Sequence, residues 1–180
     1  MLQIPMSENP ATIPAILDHA ATAHADRTAI EDGDVRITFR ELRLLAQRAA
    51  RALAGLGIEF GDRVAIWAPN MWEWPVAALG VHLAGGVLVP INTRYKGVEA
   101  RYILDKSGAK ALLTVDGFLG LDFERMADRS DLPTIVFRKS WDAFVSGAPD
   151  LPLPVISPEA LSDILFTSGT TGQPKGVMTT

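Results

Sequence analysis

The chain has 180 residues, 48% of them hydrophobic and 21% charged, with a net charge of −4 and no cysteine. This composition excludes a disulfide scaffold, a thiolate metal site and a cysteine nucleophile, and it argues against a disordered tail. A duplex nucleic-acid binder would carry a basic surplus, so no nucleic-acid partner is expected. Residues 1–115 hold twelve basic and twelve acidic side chains, whereas residues 116–180 hold five and nine, so the acidity is concentrated late in the chain.

The first ten residues, MLQIPMSENP, lack the basic stretch and sustained apolar core of a secretory leader. Residues 12–25 read as a helix, with Thr12 as N-cap and Pro14 tolerated in the first turn. The turn residues Asp32, Gly33 and Asp34 precede a short strand over residues 35–39. A longer helix is expected over residues 39–56, where Thr38 and Glu41 have capping-box spacing and Gly57 ends the pattern. Leu42, Leu45, Ala49, Leu53 and Leu56 share one side of it, and Arg40, Arg43, Gln47 and Arg51 the other. That arginine stripe reads as the wet face of an amphipathic helix.

Residues 61–70 read as turn, buried strand and turn, residues 71–85 as a helix, and residues 86–92 as a second buried strand. The uncharged run over residues 74–93 is long enough to raise the question of a membrane span. Pro75, His82, Gly85, Gly86, Pro90 and Asn92 break it, so a buried helix followed by a buried strand explains it better, and no transmembrane segment is expected. A helix over residues 97–109, ending at Gly108, and a strand over residues 110–115 follow. A strand is expected at residues 133–137. The proline-rich stretch 146–159 reads as an extended surface connection, and SDILF, residues 162–166, reads as a further strand. Alternating helices and apolar strands define an α/β fold with a largely parallel sheet flanked by helices.

The remaining feature is TSGTTGQPKG, residues 167–176. Gly169 and Gly172 allow backbone angles that turn successive N–H groups toward one anion. Ser168, Thr170 and Thr171 add hydroxyl donors, and Lys175 adds a positive charge. By composition alone a solvated Ser/Thr/Gly turn is the favoured reading. The order is not that of a Walker A loop, because Pro174 precedes Lys175 and Gly176 follows it; no G-x-G-x-x-G fingerprint occurs either. His19, His24 and His82 share no metal-ligand spacing and read as structural. Trp67, Trp72 and Trp74 read as core. Arg94 is open between supporting the loop and pairing with a nearby acid.

The residue order decides between the two readings of the loop. FTSGTTGQPKGV resembles the glycine-rich nucleotide loop of the acyl- and aryl-CoA synthetases, the adenylate-forming AMP-binding superfamily. ITFRELRLLAQRAARALAGLGIEFGDRVAIWAPNMWEW and HLAGGVLVPINTRYKGVEARYILDKSGAKALLT are similar to two further regions of that family, in the expected order, and PINTR suits its carboxylate ligases. The resemblance covers essentially all 180 residues and implies that they form the first part of a large N-terminal domain. It implies ATP, Mg²⁺ and coenzyme A as cofactors or co-substrates, a small-molecule carboxylate as partner, and a cytoplasmic location. Thr167, Ser168, Gly169, Thr170, Thr171, Gly172 and Lys175 would hold the β- and γ-phosphates, with Thr167 also near the metal. The family's adenine-binding segment, acidic metal contacts and catalytic lysine would lie beyond Thr180. The 180 residues alone are therefore expected to be inactive, with Gly169 to Lys175 mobile and phosphate binding weak or absent. Apolar surface left uncovered would favour a homo-oligomer. An acyl-AMP ligase, a peptide-synthetase adenylation domain and a non-catalytic folding or interaction module stand as alternatives.

Overall fold

The computed structural model describes residues 11–167 and 174–180. Helix α1, Ile13–Ala23, starts where Thr12 accepts a hydrogen bond from the Ala15 N–H, with proline in its first turn. Strands β1, Thr28–Asp32, and β2, Val35–Thr38, pair antiparallel as a small separate ribbon. The sequence reading missed β1, whose TAIED lacks a clean alternation and is nowhere fully buried. Helix α2, Phe39–Gly55, carries the expected capping box: the Glu41 N–H donates to Thr38 Oγ1 at 3.3 Å, and the Thr38 N–H donates to Glu41 Oε2 at 2.8 Å.

The buried face of α2 is richer in alanine than predicted, with Leu42, Ala46, Ala49, Ala50, Ala52 and Leu53 inside. Leu56 lies instead at the exposed end. The arginine stripe is not simply solvated. Arg40 and Arg43 pair with Asp26 and Asp18, while the Arg51 Nε–H donates to the Leu151 carbonyl at 3.1 Å. That last bond ties the proline-rich segment to α2, and it helps to hold an extended stretch that has no ladder of its own.

Strand β3 (Arg63–Trp67), helix α3 (Glu73–Leu83), strand β4 (Val87–Pro90), helix α4 (Gly97–Ser107) and strand β5 (Ala111–Thr114) follow in strict alternation. The uncharged run at residues 74–93 thus divides into α3 and β4. Among the described residues, no helix is long and apolar enough to cross a membrane. Two short helices, α5 (Phe123–Ala127) and α6 (Trp141–Ser146), flank strand β6 (Thr134–Val136). The last pair is β7, Asp163–Thr167, and β8, Lys175–Thr179.

The main sheet runs β6–β5–β3–β4–β7–β8, parallel except for the antiparallel β7–β8 pair at one edge. Val64, Ala65, Ile66, Trp67, Leu112 and Leu113 are fully buried, as strands covered by helices on both faces must be. Trp67 packs on Phe123 with ring centroids 4.5 Å apart, which anchors α5 to the central strand. Trp67 is fully buried, and Trp72 and Trp74 are partly buried and packed against the core, as expected.

Candidate functional site

In this strand order the chain steps from β3 to β4 on one side and then returns to β5 on the other. The reversal leaves a crevice at the carboxyl ends of the strands, the place where open α/β sheets bind ligands. A cleft of about 600 Å³ lies there. Ala68, Pro69 and Asn70 form one wall beyond β3, Ile91, Asn92 and Thr93 another beyond β4, and Leu165 and Phe166 of β7 a third, with Trp74 of α3 at the side. None of its lining residues is ionisable.

The walls are pinned by bonds across the sheet. The Ile91 N–H donates to the Ile66 carbonyl at 2.8 Å. The Trp67 indole N–H donates to the Asn92 carbonyl at 3.2 Å. Asn92 then closes its own turn, its Oδ1 accepting from the Arg94 N–H at 2.9 Å and its carbonyl from the Tyr95 N–H at 3.0 Å. The β4 exit is therefore a bonded turn that places Asn92 and Thr93 at the cleft.

Strand β7 carries the start of the glycine-rich segment to the same rim, and β8 returns from it. Thr167 stands directly opposite Lys175, and both are exposed. Directly opposed residues share a face with Cβ atoms about 5 Å apart, so a hydroxyl and an ammonium group lie side by side at the base of the loop. Leu165 opposes Val177 on that same face. Gly176 is required by space, since a Cβ there would fall 2.9 Å from an Ile164 methyl and 3.3 Å from the Phe166 ring. Of the expected phosphate-holding residues, the structure brings Thr167 and Lys175 together. Ser168, Gly169, Thr170, Thr171 and Gly172 lie outside the described residues.

At the opposite end of β7, Asp163 faces His82 of α3, with Nε2 and Oδ1 3.4 Å apart. Burial pushes the Asp163 carboxyl up, but hydrogen bonding and charge from His82, with help from Ser162, outweigh it and hold the group below the ordinary carboxylate range. His19 and His24 are exposed and His82 is buried, and the described residues hold no cluster of His, Asp and Glu able to grip a metal ion. The sequence reading gave Asn70, Asn92 and Phe166 no site role and read Trp74 as core. The available signal was that the apolar runs of β3 and β4 each end in Pro and Asn, APN and PIN, at their carboxyl ends.

Fold and site together define an α/β domain of the kind that binds a ligand at a strand-order reversal. The AMP-binding enzyme family matches residues 17–180, and the chain belongs to that family. It is 41% identical to a 3-[(3aS,4S,7aS)-7a-methyl-1,5-dioxo-octahydro-1H-inden-4-yl]propanoyl:CoA ligase of Rhodococcus jostii, over 96% of this chain and 38% of that protein. The Mycobacterium tuberculosis protein of the same name is 45% identical over 93% of this chain and 36% of its own length. The inhibitor-bound N-terminal domain of FACL13 from Mycobacterium tuberculosis superposes with a TM-score of 0.82 at 33% identity, over 93% of this chain and 44% of that one. The chain thus spans a little over a third of the length of these curated relatives.

Proposed function

We propose that the chain is the front part of the large domain of an ATP-dependent carboxylate–CoA ligase. The observation that carries the reading is the Thr167–Lys175 pair at the rim of an uncharged cleft, in a chain of the AMP-binding enzyme family. In the proposed reaction a carboxylate oxygen attacks the α-phosphorus of ATP, and the bond to pyrophosphate breaks to leave an acyl-adenylate. The thiol of coenzyme A then attacks the acyl carbon, loses its proton and displaces AMP, giving the thioester. Thr167, Ser168, Gly169, Thr170, Thr171, Gly172 and Lys175 hold the β- and γ-phosphates in this reading. Their role is to accept charge that would otherwise repel the incoming carboxylate.

Magnesium fits as an ion carried by the nucleotide. No three acidic or histidine side chains of the described residues converge, and Mg²⁺ commonly keeps waters and phosphate oxygens as most of its ligands. Thr167 would touch that shell in this reading, and the ion would supply neutralising charge on the phosphates. A cytoplasmic location, where ATP and coenzyme A are at hand, belongs to the same reading. The acyl group is a fatty acid or a related aliphatic carboxylate. The relatives' name extends that class to a propanoate borne on a fused alicyclic ring.

Pyrophosphate exchange into ATP over a panel of carboxylates tests the reading, on the 180-residue chain and on any longer product of the same reading frame. Exchange is expected with the longer product only. A longer product inert with every acid would remove the ligase, and adenylate formation by the 180 residues alone would show that they form a complete site.

A further inference from the structure

A second cavity, of about 160 Å³, lies beside the amino ends of β4 and β7 and shares no lining residue with the cleft. Ile13 and Ile16 of α1 stand on one side of it, and Ile156 and Leu161 of the connection into β7 on another. His82 of α3 is the one ionisable side chain in its lining. That histidine is 8% exposed, and neither Nδ1 nor Nε2 has a hydrogen-bond partner among the described residues. A buried polar atom without a partner costs free energy, so an occupant that supplies one is favoured.

Three hydroxyls in the lining are already engaged. Thr12 Oγ1 accepts the Ala15 N–H at 3.2 Å, Ser157 Oγ donates to Glu159, and Ser162 Oγ donates to the Thr179 carbonyl at 3.1 Å. Asp163 stands next to His82 but outside the lining, its Oδ1 3.4 Å from Nε2. Its carboxyl is held below the ordinary carboxylate range and is ionised at neutral pH. The carboxylate therefore favours the tautomer with the proton on Nε2, which leaves Nδ1 as an acceptor. The Cβ–Cγ torsion of histidine is broad, so a small turn of the ring presents Nδ1 to an occupant.

We propose that this cavity binds a small neutral alcohol with a single-ring apolar body, of the phenol or cyclohexanol class, whose O–H donates to His82 Nδ1. Size sets the body of the ligand. An apolar cavity of about 150 Å³ takes up benzene, so this one holds a single ring and has no room for a long chain. Charge sets its polar end, since the Asp163 carboxylate behind the imidazole repels a second carboxylate. The site is independent of the nucleotide reading of the Thr167–Lys175 segment. It joins α1, α3 and the connection into β7, so an occupant stabilises the root of that strand.

The probe is phenol, titrated by calorimetry into the 180-residue chain at pH 7.5, with benzene and benzoate alongside. Phenol is expected to bind one to one and about three- to tenfold more tightly than benzene, the share of one hydrogen bond. Benzoate should bind more weakly than either. In NMR spectra phenol should move the His82 ring resonances and leave those of His19 and His24, which are exposed and outside the lining. His82→Phe keeps an apolar ring but removes the acceptor, and should bind phenol and benzene alike. Ala160→Phe places a ring of the ligand's size in the wall and should abolish binding of both. Circular dichroism checks the fold of each variant; should His82→Phe not fold, the NMR shifts and Ala160→Phe decide. The proposal is overturned by the absence of saturable phenol binding or by equal affinity for phenol and benzene in the unsubstituted chain. Benzoate binding as tight as that of phenol, an unmoved His82 resonance, or binding that survives Ala160→Phe would overturn it equally.

Discussion

Glu73 opens α3 with its side chain only 3% exposed and its Oε2 without a hydrogen-bond partner among the described residues. Burial raises its pKa; a backbone hydrogen bond and the charge of Arg138, whose Nε lies 3.7 Å from Oε1, oppose that rise without cancelling it. A carboxyl raised in the folded state stabilises the fold below its unfolded pKa, about 4.3, and that contribution is lost as pH rises through the folded value. At pH 7.5 the ionised Glu73 is therefore a liability. Glu73→Gln is expected to raise the thermal midpoint at pH 7.5, with the difference closing near pH 4; an unchanged or lowered midpoint at pH 7.5 would contradict it. Lys175 is the opposite kind of residue, exposed and available to ligand. Lys175→Ala should leave the urea midpoint of the chain within error and lower pyrophosphate exchange in a longer product by at least about tenfold, the scale of one charge-assisted contact.

Among elements, the α2–α3 crossing is a tight joint. A Cβ at Gly80 would sit 2.7 Å from the Ala49 Cβ and 3.2 Å from the Ala50 nitrogen, so the two helix backbones meet with no room between them. Gly80→Ala would gain about 1 kcal/mol of helix propensity yet must force the helices apart, at about 1–3 kcal/mol. A net loss of stability is expected in urea denaturation, against the gain that an uncrowded helix would show. The start of α2 depends on its cap. Thr38→Ala should lower stability by about 1 kcal/mol, seen as a shift in midpoint without a change in slope, and Thr38→Ser should retain most of it. Caps and periodicity were legible because both are local. Thr12, Thr38 with Glu41, and Gly108 mark helix ends within a few residues of the expected positions. The short helices α5 and α6 went unread because five or six residues are too few to show a helical period.

At the scale of the whole molecule, the β7–β8 pair leaves Leu165, Val177 and Met178 44%, 50% and 70% exposed, beside an edge strand with no further partner among the described residues. Unpaired edges with apolar side chains are templates for association. Sedimentation velocity of the 180-residue chain should show mass rising with concentration, and Val177→Lys should suppress the rise; a monomer at every concentration would remove the expectation.

The residue order by itself determined the alternation of helices with buried strands, the cap positions and the family resemblance of the segment after Phe166, because each depends on neighbours within a few positions. Only the tertiary structure decided the strand order, the antiparallel return of β8, and the meeting of Asn70, Asn92 and Phe166 in one cleft. Those contacts join residues that are distant in sequence, and strand pairing leaves no local mark of which partner a strand will choose. Asn92 shows the difference most clearly: in the sequence it only breaks an apolar run, and the fold makes its carbonyl the acceptor of the Trp67 indole N–H, 25 residues away, on the wall of the cleft.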